Sequence, residues 1–352
     1  MLLLAVYSYG FMRCQRLYTP VKIDQSPLAL EDFPIPQPGR GQVRIKVSYC
    51  GVCHTDLHIA EGDIHPPHLP VTPGHQVVGV IDAIGEDQTP SPFPRGRVGV
   101  GIGFRVGVPW LHSACGVCFY CRSGLENLCE QARFTGFHVD GGYAEYLLAE
   151  ANYVLPIPLS ISDQDATPLL CAGIVGFRSI RLSDLQPGER LGLFGFGAAG
   201  HLAIQVARHW GCEVYVFTRS DRHQRHAEYL GAAWVGGAEE RPPKLIDRGI
   251  IFAPAGWIVP LALEKLRPGG TLALNAIHMS DIPQMPYRLL YGERTLRSVA
   301  NATYQDGVDF LKLAAEIPIK PAVTGYPLAD ANRALQDMKA SAIDGEAVLE
   351  ID

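Results

Sequence analysis

Four cysteines crowd one short stretch: Cys115-Gly-Val-Cys118-Phe-Tyr-Cys121, then Cys129 after seven intervening residues. Three thiols at intervals of three, with a fourth after a short loop, can wrap a tetrahedral ion. Zinc takes four sulfurs at about 2.3 Å and keeps no open position when its role is structural. Disulfides and a C-x-x-C redox pair are the competing readings. The odd total of nine cysteines argues against a full disulfide framework, and the third and fourth thiols argue against a redox pair. A four-thiolate site has no room for substrate, so this spacing predicts a metal that braces a loop.

A second set is dispersed. Cys53-His54-Thr55-Asp56, Gly74-His75 and Leu170-Cys171-Ala172-Gly173 offer two thiols and an imidazole. Each alone is weak, because a lone Cys or His is more often a packed core residue. A third motif is Gly195-Phe-Gly197-Ala-Ala-Gly200, which follows the apolar run Leu191–Phe194 and opens a helical pattern. In that strand–turn–helix context the glycines fit a dinucleotide loop. The first makes the tight turn, the second lets a pyrophosphate approach, and the third lets helix pack on strand. The helix N-terminus attracts the phosphate charge. An acid at the end of the next strand would bind the ribose hydroxyls of NAD. Here Thr218 and Arg219 stand there. No carboxylate repels a 2′-phosphate, and a guanidinium can clamp one, so the sequence leans towards NADP. The alternative is that Arg219 stacks on adenine and both cofactors serve.

These residues need elements to position them. Up to about residue 170, Gly- and Pro-rich turns separate strand-like runs: 43–48, 77–85 and 143–156. They imply an antiparallel, partly barrel-like domain. From Cys171 the pattern changes. Strand candidates at 191–194, 214–218, 249–253, 271–277 and 296–300 alternate with helical segments. One of these carries Leu202, Ala203, Val206, Ala207 and Trp210 on one face; another precedes the Pro268-Gly269-Gly270 turn. Alternation of that kind implies a parallel sheet. The tail adds helix candidates at 306–315 and 329–339 and a closing strand, VLEI. The tandem pair Arg97–Val100 and Arg105–Val108 reads as a bulged strand region or a local duplication.

A chain of 352 residues can bury two cores, and 47% hydrophobic with 19% charged residues is an ordinary globular balance rather than a disordered one. The net charge of −6 gives no reason to expect nucleic acid or an anionic membrane as partner. No apolar run is long enough to span a bilayer. The opening MLLLAVYSYGFM lacks a basic residue ahead of its apolar run, so it is read as an extension before a start at Met12 and not as a signal peptide. Reduced thiols and no export signal point to the cytoplasm.

Taken in order, GVCHTDLH, PGHQVVG, the cysteine lobe, LLCAG and GFGAAG resemble the zinc-containing alcohol dehydrogenases of the medium-chain dehydrogenase/reductase superfamily, and within it the bacterial branch acting on simple alcohols and aldehydes. The likeness runs from about residue 12 to the end. It implies a GroES-like, mostly β catalytic domain (1–171 and 303–352) and a Rossmann-type, doubly wound dinucleotide domain (172–302). It implies two zinc ions: a catalytic one on Cys53, His75 and Cys171, and a structural one on Cys115, Cys118, Cys121 and Cys129. Asp56 would orient the His75 ring, Thr55 and His58 would relay the alcohol proton, and His54 would meet the cofactor pyrophosphate. A small alcohol or aldehyde would be the substrate, and the chain would form a homodimer or homotetramer. Trp110 is read as a pocket wall or as plain packing.

Two positions depart from the family. Gln76 stands where relatives commonly have a glutamate close behind the metal, which would leave the metal more electropositive and lower the pKa of bound alcohol. Val175 replaces a frequent threonine, which removes any hydroxyl contact there. A polyol or amino-alcohol dehydrogenase of the same superfamily fits the motifs too, although that branch often uses a carboxylate where Cys171 stands. A non-catalytic zinc- and nucleotide-binding relative is the reading of another class.

Overall fold

The computed structural model describes residues 10–85, 101–317, 319–343 and 345–351. The chain divides into two compact units. One runs up to Arg122, takes in Cys129–Leu170 and resumes at Val323; the other comprises Ser123–Leu128 and Cys171–Ala322.

The first unit is built on a seven-stranded sheet. Its path runs Val323–Pro327, Glu346–Glu350, Gln42–Val52, Val77–Ile84, Arg105–Val108 and Leu155–Pro156, with Tyr146–Glu150 also pairing along Gln42–Val52. All its pairings are antiparallel except the one between the two tail strands. Alternation in Gln42–Val52 explains its placement: Val43, Ile45 and Val47 are buried while Lys46 is exposed. The core gathers these with Val77, Ile81, Val106, Leu147 and Leu349. The strand runs read from sequence are therefore present. The Arg105–Val108 copy of the tandem pair is an ordered strand, and the Arg97–Val100 copy lies outside the described residues. So does nearly all of the extension before Met12; Phe11–Leu17 is already a strand, paired antiparallel with Leu28–Pro34.

The second unit holds six parallel strands in the spatial order Trp234–Gly236, Glu213–Phe217, Arg190–Phe194, Ile246–Ile251, Leu266–Leu274, Thr295–Ser298. Numbered along the chain this is 3-2-1-4-5-6, the doubly wound arrangement of dinucleotide-binding sheets. Helix Ala198–His209 buries Leu202, Ala203, Val206 and Ala207, the face read from its periodicity. The strand expected at 271–277 starts earlier and ends at Leu274. The first unit resumes at Val323, later than the 303 read from the sequence. Helix Tyr304–Glu316 is tied into the second unit instead: Arg178 donates to Asp306 Oδ2 at 2.6 Å and Arg181 to Asp306 Oδ1 at 2.9 Å. Among the described residues no helix is long and apolar enough to cross a membrane.

Candidate metal centres and cofactor loop

Cys53 follows the Gln42–Val52 strand and caps the helix His54–Glu61. This strand-to-helix corner is held by Asp56, which is fully buried. Its Oδ2 accepts the Cys53 N–H at 2.9 Å and the Tyr143 hydroxyl at 3.3 Å. Its Oδ1 accepts the Gly74 N–H at 3.1 Å and faces His75 Nδ1 at 3.1 Å. One carboxylate thus ties the two segments that supply Cys53 and His75. Because Nδ1 is engaged, Nε2 is the nitrogen left to bind a metal. Gly74 has φ +99°, and a Cβ there would lie 2.4 Å from the Tyr143 ring, so only glycine lets the chain turn His75 inward.

Cys171 sits in a single π-helical turn, Leu169–Gly173, directly after the short helix Asp163–Pro168. Such turns concentrate at functional sites, because the extra residue re-aims a side chain. The sulfurs of Cys53 and Cys171 and a ring nitrogen of His75 all lie within 4.8 Å of one another. Two thiols and an imidazole are a zinc-type donor set with one tetrahedral position to spare. Burial alone would push the His75 pKa down. The Asp56 carboxylate and the hydrogen bond to it, with Cys53 alongside, carry it up to about 10. Negative surroundings of this kind also favour a dication.

Thr55 is buried, with Oγ1 3.8 Å from Cys53 Sγ. His58 lies one turn further along the helix, its side chain 24% exposed and its Nδ1 2.9 Å from Asp63 Oδ2. His54 is exposed. Trp110 meets the His75 ring edge-on at 4.8 Å and stacks on Phe134 at 5.0 Å, so it walls the imidazole as well as packing.

The lobe cysteines Cys115, Cys118, Cys121 and Cys129 also place their sulfurs within 4.8 Å of one another, and none of the nine cysteines is joined in a disulfide. Backbone N–H groups of Val117 and Cys118 bring the Cys115 pKa down to about 6. That favours the thiolate a metal needs.

In the second unit Gly195, Gly197 and Gly200 stand at the turn into helix Ala198–His209. Gly195 has φ +93°, and its Cβ would strike the Ala253 backbone at 2.8 Å. A Cβ on Gly197 would meet nothing within 4 Å, leaving the helix N-terminus open to a phosphate. A Cβ on Gly200 would come within 3.0 Å of the Gly195 carbonyl. His201 fastens the loop from inside the helix: Ala322 N–H donates to its Nε2 at 3.4 Å, and its Nδ1 lies 3.4 Å from the Gly197 carbonyl. Thr218 is buried just past the Glu213–Phe217 strand, and Arg219 next to it is exposed. Val175 helps hold the sheet: its carbonyl accepts Asn275 Nδ2 at 3.2 Å.

Tyr143, His201 and Glu346 carry no signal in the sequence for the contacts they make. Glu346 is buried in the tail strand; burial, then the charge of Cys53, pushes its carboxyl well above the usual carboxylate range. Only the polar character of such residues inside apolar runs could have drawn attention to them.

Comparison with known proteins agrees with this geometry. Residues 39–159 match the alcohol dehydrogenase GroES-like domain and residues 198–316 the zinc-binding dehydrogenase domain. The chain is 43% identical to a probable alcohol dehydrogenase of Mycobacterium tuberculosis, over 96% of this chain and 97% of that one. It is 35% identical to an alcohol dehydrogenase of Geobacillus stearothermophilus, over 93% and 97%. Among solved structures, a cobalt- and zinc-bound thermostable alcohol dehydrogenase from Pyrobaculum aerophilum superposes with a TM-score of 0.85 at 25% identity, covering 97% of this chain and 100% of that one. The chain belongs to the zinc-type alcohol dehydrogenases of the medium-chain dehydrogenase family, oxidoreductases that act on alcohols with a nicotinamide cofactor.

Proposed function

We propose that this protein interconverts small alcohols and aldehydes at Cys53, His75 and Cys171, which hold a catalytic zinc, while Cys115, Cys118, Cys121 and Cys129 hold a second, structural zinc. The observation that carries this reading is the grouping of three donors within 4.8 Å around an imidazole already oriented by Asp56. When bound, the zinc supplies Lewis acidity that lowers the pKa of an alcohol or polarises a carbonyl. The chain's own residues do the rest. Asp56 fixes the tautomer and direction of His75. Trp110 and Phe134 give that side of the site an apolar, water-excluding wall. Thr55, buried beside Cys53, takes the alcohol proton and hands it along the helix to His58, whose partly exposed ring returns it to solvent.

Gly195, Gly197 and Gly200 seat the cofactor pyrophosphate, with His54 as a further contact. We infer a preference for NADP. Thr218 rather than a carboxylate stands at the end of the second strand, and the exposed guanidinium of Arg219 beside it can clamp a 2′-phosphate. Free thiols support a cytoplasmic setting, and a homodimer or homotetramer is the assembly, to be read from sedimentation. The test is aldehyde reduction by the zinc-replete protein with NADH and NADPH side by side. Turnover preferring NADPH, with Arg219→Ala raising the KM for NADPH about tenfold or more and leaving that for NADH within about twofold, is the expected result. Equal effects on both cofactors would remove the phosphate role of Arg219. Absence of turnover across simple aldehydes would remove the catalytic reading.

A further inference from the structure

Gln76 and Glu346 stand together behind the dispersed ligands, Gln76 from the PGHQVVG motif and Glu346 from outside every motif. Gln76 follows His75 directly, and its own carbonyl accepts the Gly51 N–H at 3.0 Å. Glu346 arrives on the tail strand Glu346–Glu350, whose Ala347 pairs with Val52, so Glu346 comes level with the end of the strand that delivers Cys53. The two side chains converge over Gly51. A Cβ at that residue would lie 1.9 Å from Gln76 Oε1 and 2.8 Å from Glu346 Oε1, so both head groups fill the space that glycine leaves. Gln76 is 0% and Glu346 4% exposed. All four of their terminal atoms, Oε1 and Nε2 of Gln76 and both carboxyl oxygens of Glu346, are buried without a hydrogen-bond partner.

Leaving a carboxyl and an amide dry and unpaired costs free energy that a fold does not carry without compensation. The charged neighbours of Glu346 are Cys53, His75 and Asp56, the ligand shell itself. Of these neighbours His75 alone favours the charged carboxyl, and a dication held by Cys53, His75 and Cys171 would compensate a carboxylate there.

We propose that Glu346 is a positioning residue of this metal site, supplying from the tail strand the carboxylate that Gln76 does not supply from beside His75, with the Gln76 amide as its companion. The inference rests on the reading of Cys53, His75 and Cys171 as a zinc site. It also replaces the expectation drawn from Gln76 alone. The site has not lost a carboxylate but moved it to another strand, so the metal is not left more electropositive.

The test is zinc release from the full-length protein into a chromophoric pyridylazo chelator, with the four-cysteine zinc as internal reference. Glu346→Gln should release the dispersed-site zinc about tenfold faster or more, the range seen when partners of metal ligands are removed, with the lobe zinc unchanged. The exchange variant Gln76→Glu/Glu346→Gln should bring release back to within about threefold of the parent, because the carboxylate returns on the other strand. Should Glu346→Gln not fold, Glu346→Asp keeps the charge but withdraws it by one methylene, and should release zinc at an intermediate rate. Release from Glu346→Gln or Glu346→Asp at the parent rate, or no rescue in the exchange variant, overturns the proposal. A parent protein that binds only one zinc overturns the zinc-site reading beneath it and is told apart by metal content alone.

Discussion

The two candidate metal groups each bring their donors within 4.8 Å of one another, yet they are built in opposite ways. The lobe draws four thiols from one short stretch, 115 to 129, so a single loop conformation assembles it. The other group draws Cys53 from a strand-to-helix corner, His75 from a glycine turn and Cys171 from a π-helical turn. Its geometry is the product of the sheet that delivers these segments and of Asp56, which binds two of them. A local site with four donors is closed and can only brace; a dispersed site with three leaves a position for chemistry. Separation in sequence is therefore what permits a site to be both rigid and open.

The sharpest way to break that comparison is to remove one sulfur from each group. Cys171→Ala should lower turnover by about 10³-fold or more, since Lewis-acid stabilisation of the transition state is worth several kcal/mol. Metal content should fall from two zincs to one, with little change in the thermal melt. Cys118→Ser should do the reverse: the lobe zinc is lost, the melting temperature drops, and turnover per folded molecule stays within about tenfold. Metal analysis, initial rates and melting curves on the same preparations decide between the assignments. If Cys118→Ser abolishes turnover while the protein stays folded, the division into bracing and reactive sites is wrong.

A smaller effect tests what holds the dispersed group in place. Asp56→Asn keeps the shape but loses the charge that faces His75 Nδ1 and accepts the Cys53 and Gly74 N–H groups. Zinc affinity at the dispersed site should fall about 10- to 100-fold, and the lobe should not respond. Tyr143→Phe removes one neutral donor to the same carboxylate and should cost roughly 1 kcal/mol of stability with no loss of zinc. Equal zinc losses in the two variants would mean that burial, rather than the Asp56 charge, orients the imidazole.

What could be read in the sequence follows the same division. The lobe, the glycine loop and the alternating strands are local patterns, and each appears where periodicity or spacing put it. Val43, Ile45 and Val47 are buried as their alternation requires, and helix Ala198–His209 turns its apolar face inward. Long-range effects were not legible. Helix Tyr304–Glu316 belongs to the second unit because of ion pairs with Arg178 and Arg181, more than a hundred residues earlier in the chain. The π turn at Cys171 has no composition of its own, since Leu-Leu-Cys-Ala-Gly would serve in an ordinary helix. Glu346 stands outside the VLEI strand read from the sequence, and the pairing of its strand with Gln42–Val52 carries it into the core. Residues whose meaning depends on a partner far along the chain are the ones that patterns miss.

The same contrast between local and dispersed support can be read in two buried histidines, one in each unit. His201, inside the glycine-loop helix, is 1% exposed, and burial, with His226 adding to it, pushes its pKa down to about 4. His112, on the strand Leu111–Ser113 just before the lobe, is 4% exposed and is pushed down to about 4 by burial and then by Arg133. Each stays neutral in the fold, whereas the unfolded chain protonates its histidines near pH 6.5. Below that pH the unfolded state binds more protons, so stability falls with falling pH. The contribution is whole above about pH 6.5 and is lost between there and about pH 4. For a shift of this size it is on the order of 3 kcal/mol per histidine. Melting temperatures measured from pH 7 down to 4.5 should therefore slope downward. His201→Gln should make that slope shallower, while His112 and the depressed carboxyls such as Asp306 and Asp247 still titrate. A slope unchanged in His201→Gln would show that the buried imidazole of the cofactor-loop helix does not carry the acid sensitivity of this protein.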